Sequence, residues 1–235
     1  GRQMLADPHF ARKAEAGQAD AINTCIGCNQ ACLDFIFADK ASSCLVNPFA
    51  GRELDIAIRP AKNPGKIAVV GAGPAGMSAA LTAAECGHTV TLYDAADELG
   101  GQFNLAKRIP GKEDFDETIR YFRNRLPAAG VEVRLNTRVS ADEIDEANFD
   151  HVIVATGVTP RVLDVEGADG ANVITYMDAL TDAKPVGKRV AIIGAGGIGF
   201  DVAEYLSSPH SSPVSIDSFL DHWGIDRAHE TAGGG

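Results

Sequence analysis

Four of the chain's five cysteines, Cys25, Cys28, Cys32 and Cys44, fall within twenty positions in the spacing C-x2-C-x3-C-x11-C. Three thiolates close together on a turn, with a fourth returning from a short helix, can surround a compact metal centre. Zinc satisfies four thiolates tetrahedrally, but its usual sites draw on two separated C-x2–4-C pairs. Three clustered cysteines plus one distant is closer to the ligation of an iron–sulfur cubane, [4Fe–4S]. Such a cluster can pass electrons singly, whereas zinc has no redox chemistry. A structural zinc and a thiol or disulfide site stay open as alternatives. Cys86 stands apart, near the end of an Ala-rich stretch, and reads as a small buried hydrophobe.

The second constellation is made of glycine. Gly71, Gly73 and Gly76 stand in the G-x-G-x-x-G spacing directly after the apolar run "KIAVV" (66–70). The first glycine allows a tight turn out of a strand. The second lets backbone approach a pyrophosphate, and the third permits close helix–strand packing. Asp94 ends a second strand-like run, "HTVTLYD" (88–94), eighteen residues past Gly76. A carboxylate there meets the hydroxyl pair of a ribose. A glycine-rich turn with no ligand is the bland alternative, and the ordered succession of strand, glycines, helix, strand and acid weighs against it. The same spacing recurs at Gly194, Gly196 and Gly199 after "KRVAII" (188–193). Two such turns, the glycine pair in "ELGGQF" (98–103) and the small residues Thr156 and Gly157 ending "HVIVATG" resemble the flavoprotein disulfide-reductase arrangement, with FAD bound first and NAD(P)H second. A decayed second copy that binds nothing is the alternative for 194–199.

These motifs need elements to hold them. The pattern is strand, Gly turn, Ala-rich helix closed by Gly87, then strand, which favours a parallel α/β sheet. A helical look runs from Pro8 to Ala19. "EDFDETIRYFRNRL" (113–126) reads as an amphipathic helix shortened by Pro127, and 131–139 and 151–157 read as further strands. Residues 51–65 read as a connector, 141–147 as a solvated acidic helix face, and the stretch from Ser207 onward as irregular. Residues 188–206 repeat the strand–turn–helix grammar without a closing strand.

Length and charge bound the rest. The chain has 235 residues, 45% of them apolar, enough to bury real cores. A formal net charge of −11 argues against nucleic acid or an anionic membrane surface as the main partner. No apolar run nears the roughly 18 residues of a membrane span, and the opening residues are no signal peptide. Reducing cytoplasm is the default compartment, where clustered cysteines are more often metal ligands than disulfides. The six histidines lack metal spacing.

"INTCIGCNQACLD", "SCLVNP", "VVGAGPAG", "GGQFNLAKRIPGKE" and "VAIIGAGGIGFD" together resemble the bacterial 2,4-dienoyl-CoA reductases, within the wider group of trimethylamine dehydrogenase and related NADH:flavin oxidoreductases. The likeness covers nearly the whole chain. It implies a Rossmann-like FAD-binding domain preceded by an iron–sulfur segment and followed by the start of a nicotinamide-binding domain. Residues 1–24 would then be the end of a truncated (β/α)8 barrel, 25–60 the iron–sulfur segment and connector, 61–185 an incomplete FAD domain and 186–235 the start of an inserted NAD(P)H domain. The resemblance implies electron flow from NAD(P)H through FAD and [4Fe–4S] to an FMN in the barrel, and on to a 2,4-dienoyl-CoA in fatty-acid β-oxidation. Carried over by motif, the FAD contacts are Gly71, Ala72, Gly73, Ala75, Asp94, Gly101, Gln102, Arg108, Val139, Thr156 and Gly157. Arg2, at the end of the barrel's last strand, would meet the FMN phosphate. An ordinary surface charge is the alternative for Arg2, and an ordinary salt bridge for Arg108. The catalytic residues would lie in the barrel, so the chain reads as an interior fragment unable to reduce a dienoyl-CoA alone. Two further readings remain: the same relay serving another activated alkene, as in an enoate reductase, or a non-catalytic, zinc-stabilised nucleotide-binding module.

Overall fold

The computed structural model describes residues 1–161, 163–208, 215–225 and 228, which divide into two units, Gly1–Lys188 and Arg189–Gly235. In the first unit the chain begins with α1 (Arg2–Ala6), α2 (Phe10–Glu15), a single 3-10 turn (Ala19–Ala21) and α3 (Leu33–Phe37). Arg2 therefore begins a helix rather than ending a strand. Gln3, Met4 and Leu5 are good helix formers, and the Met4 N–H already donates to Gly1 O at 3.0 Å. The helical stretch expected over Pro8–Ala19 is also shorter. Gly17 takes a left-handed φ of +69°, and the Gln18 N–H turns back to Lys13 O, the closure that ends a helix at glycine.

A parallel sheet follows, built from β1 (Lys66–Val70), α4 (Pro74–Glu85), β2 (Thr89–Tyr93), α5 (Phe103–Ala106), α6 (Phe115–Ala128), β3 (Glu132–Arg134), α7 (Ala141–Glu146), β4 (His151–Val154) and α8 (Tyr176–Leu180). The strand order is β3-β2-β1-β4, every pair parallel. Val70 pairs with Tyr93 on one side and Val154 on the other. The carboxyl ends of the central strands are thus level, and the loops leaving them share one edge, where α/β sheets bind ligands.

Packing explains why the predicted elements appear. Ile67, Ala68 and Val69 of β1 are buried, as a central strand covered on both faces requires. Met77, Ala80 and Leu81 of α4 and Ile119, Phe122 and Leu126 of α6 meet Val69, Val90 and Leu92 in one core. The α6 positions recur every three or four residues, so one stripe enters the core and the charges face out. Pro127 does not shorten this helix. It sits in the last turn, and the chain closes beyond it, with Gly130 N–H donating to Pro127 O and Val131 N–H to Leu126 O.

Three further expectations change. The strand predicted over 131–139 holds only for Glu132–Arg134, because Asn136 turns left-handed (φ +53°) and its N–H leaves the sheet for Ala96 O. Cys86 is half-buried rather than buried, since it caps the exposed C-terminus of α4. Residues 188–193, which run into the second unit, form no strand: extended backbone needs a neighbour to take its N–H and C=O groups, and among the described residues that unit contains only α9 (Gly197–Ser207) and α10 (Ile216–His222). Val190, Ile192 and Ile193 stay exposed. The stretch expected to be irregular after Ser207 contains α10, started by Ser215, whose hydroxyl accepts from the Ser218 N–H; residues 209–214 lie outside the described set. No helix among the described residues is long and apolar enough to cross a membrane.

Leu126 is fully buried and Leu54 fully exposed. Replacing Leu126 by alanine is expected to cost about 2–5 kcal/mol in urea unfolding, against less than about 0.5 kcal/mol for Leu54→Ala.

Candidate functional site

The first glycine turn leaves β1 at the level edge of the sheet. Gly71 has φ +108°, and a Cβ there would sit 2.3 Å from Ala155 O, so no side chain fits. A Cβ on Gly76 would sit 1.8 Å from Gly71 O, which lets α4 press onto the turn it grows from. Gly73 differs from both. A Cβ there meets nothing within 4 Å, although Gly73 is the residue capping α4. Pro74 occupies the first helical position, and the next N–H groups, of Ala75 and Gly76, have no acceptor within the helix. Open space over Gly73, free N–H groups and the positive end of a 12-residue helix suit a diphosphate.

Neighbouring loops complete this edge. Asp94 accepts from the Ala72 N–H at 2.5 Å and from the Ala96 N–H at 2.8 Å, so its carboxylate is pinned at the mouth of the turn. The Gly100 N–H donates to Ala72 O at 2.9 Å, and a Cβ on Gly101 would lie 3.1 Å from the Gly73 Cα. The glycine pair thus lies against the glycine turn. Thr156 and Gly157 follow β4, exposed at the same edge, and Val139 is half-buried after β3. Gln102 and Arg108 are otherwise engaged: Gln102 Nε2 donates to Val158 O at 3.0 Å, and Arg108 Nη1 to Leu180 O at 2.8 Å, where it caps α8. Asn104, which sequence reasoning passed over, keeps a buried Oδ1 with no protein partner beside this loop.

In the second unit Gly194 (φ +117°), Gly196 and Gly199 repeat the local geometry. A Cβ on Gly199 would lie 2.1 Å from Gly194 O, while one on Gly196 would meet nothing. The turn keeps its shape with no strand before it.

Cys25, Cys28, Cys32 and Cys44 line one small cavity, walled by Leu5, Ile26, Ala31 and Leu45. All four are half-buried free thiols. Burial pushes the Cys44 thiol pKa up and Cys25 and Cys28 add to it, against backbone N–H groups of Val46 and Asn47 that favour the thiolate. Among the described residues, no three Cys, His, Asp or Glu side chains converge where a single ion could be ligated. Arg2 lines the same cavity and its guanidinium donates to Asn29 Oδ1.

The residues that hold this cavity were not foreseen. Asn23, nearly fully buried, donates to Val46 O at 2.8 Å, and Asn47 Nδ2 donates to Leu5 O at 2.8 Å. Both arms of the cysteine segment are so tied to α1 and to each other. Gln3 Oε1 accepts from the Cys25 N–H at 2.9 Å. Asp7, also buried, accepts from Lys13 Nζ at 2.5 Å and from the N–H groups of His9 and Asn23 at 3.0 Å. Burial opposes ionisation of Asp7, but Lys13 and the two N–H groups outweigh it and hold the pKa below its ordinary 3.8. Polar residues flanking cysteines were the only signal in the sequence.

Residues 65–222 match the family model described as pyridine nucleotide-disulphide oxidoreductase. The chain is 39% identical over 210 residues to a metal reductase of Desulforamulus reducens, covering 88% of this chain and 31% of that protein. It is 39% identical over 238 residues to an NADH oxidase of Thermoanaerobacter brockii, covering 96% and 36%. A solved complex of 2-naphthoyl-CoA reductase with 2-naphthoyl-CoA superposes with a TM-score of 0.84 at 38% identity, covering 87% of this chain and 31% of that one. The chain therefore spans about a third of the length of these proteins.

Two variants separate the roles of the glycines. Gly71→Ala is expected to lower the melting temperature, whereas Gly73→Ala keeps it and weakens flavin binding by about tenfold or more, read by flavin fluorescence titration. Because the folded-state pKa of Asp7 is depressed, its contribution is complete above about pH 4 and falls away as pH drops through the lower folded value. Asp7→Asn should lower stability at pH 7 and flatten that acid limb in urea melts taken from pH 7 to 2.

Proposed function

This chain belongs to the pyridine nucleotide-disulphide oxidoreductase family, and we propose that it is the electron-transfer segment of a larger iron–sulfur flavoenzyme. Two bound groups supply the chemistry: a flavin that takes a hydride's two electrons from a nicotinamide, and a [4Fe–4S] cluster that passes them on singly. Gly71, Gly73 and Gly76 would admit the FAD pyrophosphate against the α4 N-terminus, with Asp94 at its ribose and Ala72, Ala75, Gly101, Gln102, Arg108, Val139, Thr156 and Gly157 around it. Arg108 would have to leave Leu180 O to take part. Gly194, Gly196 and Gly199 would do the same for NAD(P)H. Cys25, Cys28, Cys32 and Cys44 would hold the cluster.

One observation carries this reading: Cys25, Cys28, Cys32 and Cys44 line one cavity, three of them clustered in sequence and the fourth returning from a distance, a donor pattern closer to a cubane than to the paired C-x2–4-C ligands of zinc. The donor set and the N–H groups aimed at Cys44 suit a cluster, whose potential such hydrogen bonds tune.

The acceptor belongs to the rest of the protein. Relatives named for metal, for NADH oxidation and for an aromatic acyl-CoA share this same third, which supports a common input half and a variable output half. We place an FMN in that output half, with Arg2 near its phosphate, and a 2,4-dienoyl-CoA as the acceptor. The likeness to 2-naphthoyl-CoA reductase favours, as a second reading, another conjugated acyl-CoA.

Anaerobically purified full-length protein should be brown and contain about four irons with matching labile sulfide per chain. Cys28→Ala should abolish the iron and leave flavin absorbance in place. A colourless protein holding one zinc would overturn the reading.

A further inference from the structure

The cysteine segment and the flavin-binding fold meet at one cationic side chain. Arg120 projects from α6 and is about three-quarters buried. Its Nη1 donates to Asp20 O at 3.0 Å and to Ala19 O at 3.5 Å, and its Nη2 to Ile22 O at 2.9 Å and Thr24 Oγ1 at 3.3 Å. Nε donates to Glu117 Oε2 at 2.8 Å, and that same oxygen accepts from the Thr24 hydroxyl at 3.1 Å. The guanidinium so gathers the carbonyls of Ala19, Asp20 and Ile22 and the Thr24 side chain immediately before Cys25. Glu117 orients the fork and neutralises it.

The opposite stripe of α6 reaches the other site. Ile119, next to Arg120, is fully buried in the core. Its Cδ1 would lie 2.7 Å from a Cβ on Gly100, whose N–H is bonded to the glycine turn at Ala72. One helix turn therefore touches the loop beside the dinucleotide turn on one side and grips the cysteine segment on the other.

We propose that Arg120 is a positioning residue that fixes the cysteine segment on the flavin-binding fold and thereby sets the separation between the two redox groups, a role that rests on the function proposed above. A planar fork with several donors can hold several carbonyls in one geometry, which a flexible ammonium cannot. Arg120 touches neither group and supplies no electrons or protons; it acts through the backbone it holds.

The test uses the holoprotein with Arg120→Ala, Arg120→Lys and, as a milder change, Thr24→Val. Flavin content, iron content and the rate of flavin reduction by NAD(P)H should match the wild type in all three. Hydrogen exchange of the 19–25 amides should rise about tenfold in Arg120→Ala, as loss of charge-assisted hydrogen bonds would allow. The increase should be smaller in Arg120→Lys and smallest in Thr24→Val. Stopped-flow reduction of the cluster by the reduced flavin should slow in the same order. Wild-type exchange at 19–25 in Arg120→Ala, or an unchanged cluster-reduction rate, overturns the proposal. If the wild-type protein itself lacks iron, the proposed function fails, and the exchange data still decide whether Arg120 holds the segment.

Discussion

Close approach of backbone to backbone is the constraint on which this molecule depends. Here β1 feeds α4, packed on its own sheet, through a turn that has no room for a side chain at two positions. Gly71 meets Ala155 O and Gly76 meets Gly71 O at distances no Cβ survives. That necessity leaves Gly73 uncovered at the N-terminus of α4, and the uncovered place is where a phosphate fits. The level ends of β1, β2 and β4 bring Asp94, Gly101 and Thr156 around the same opening. Gly71 and Gly76 thus serve the packing of the turn, while Gly73 leaves it open.

The cysteine cavity is built by other means. It has no sheet and little core, and side-chain amides do the work of secondary structure. Asn23 and Asn47 lend hydrogen bonds to backbone that has no regular partner, while buried Asp7 gathers Lys13 and two N–H groups under the same corner. Such a scaffold orders the segment locally but cannot by itself fix where it lies on the sheet domain. Arg120 on α6, through its bonds to Asp20 O and Ile22 O, is the proposed connection between the α/β fold and the loop-built cysteine segment.

How much was legible depended on the range of the interaction. The C-x2-C-x3-C spacing, the G-x-G-x-x-G turn and the α6 stripe are patterns within a few residues, and the structure places their residues at one cavity, one sheet edge and one core face. Features decided by a distant partner were misread. Residues 188–193 look like β1 but pair with no strand among the described residues. β3 is cut short by the left-handed Asn136. Arg120 looked like any charged position on the outer face of a helix, because its partners lie about a hundred residues earlier. Nothing in its own neighbourhood distinguished it.

The central claim is that four thiols here hold a redox-active cluster within reach of a flavin. Low-temperature electron paramagnetic resonance of the full-length protein, handled without oxygen and reduced through its nicotinamide cofactor, tests it most directly. The account predicts the signal of a reduced four-iron cluster, present in the wild type and absent when Cys44 is replaced. A fully reduced flavoprotein with no such signal would contradict it.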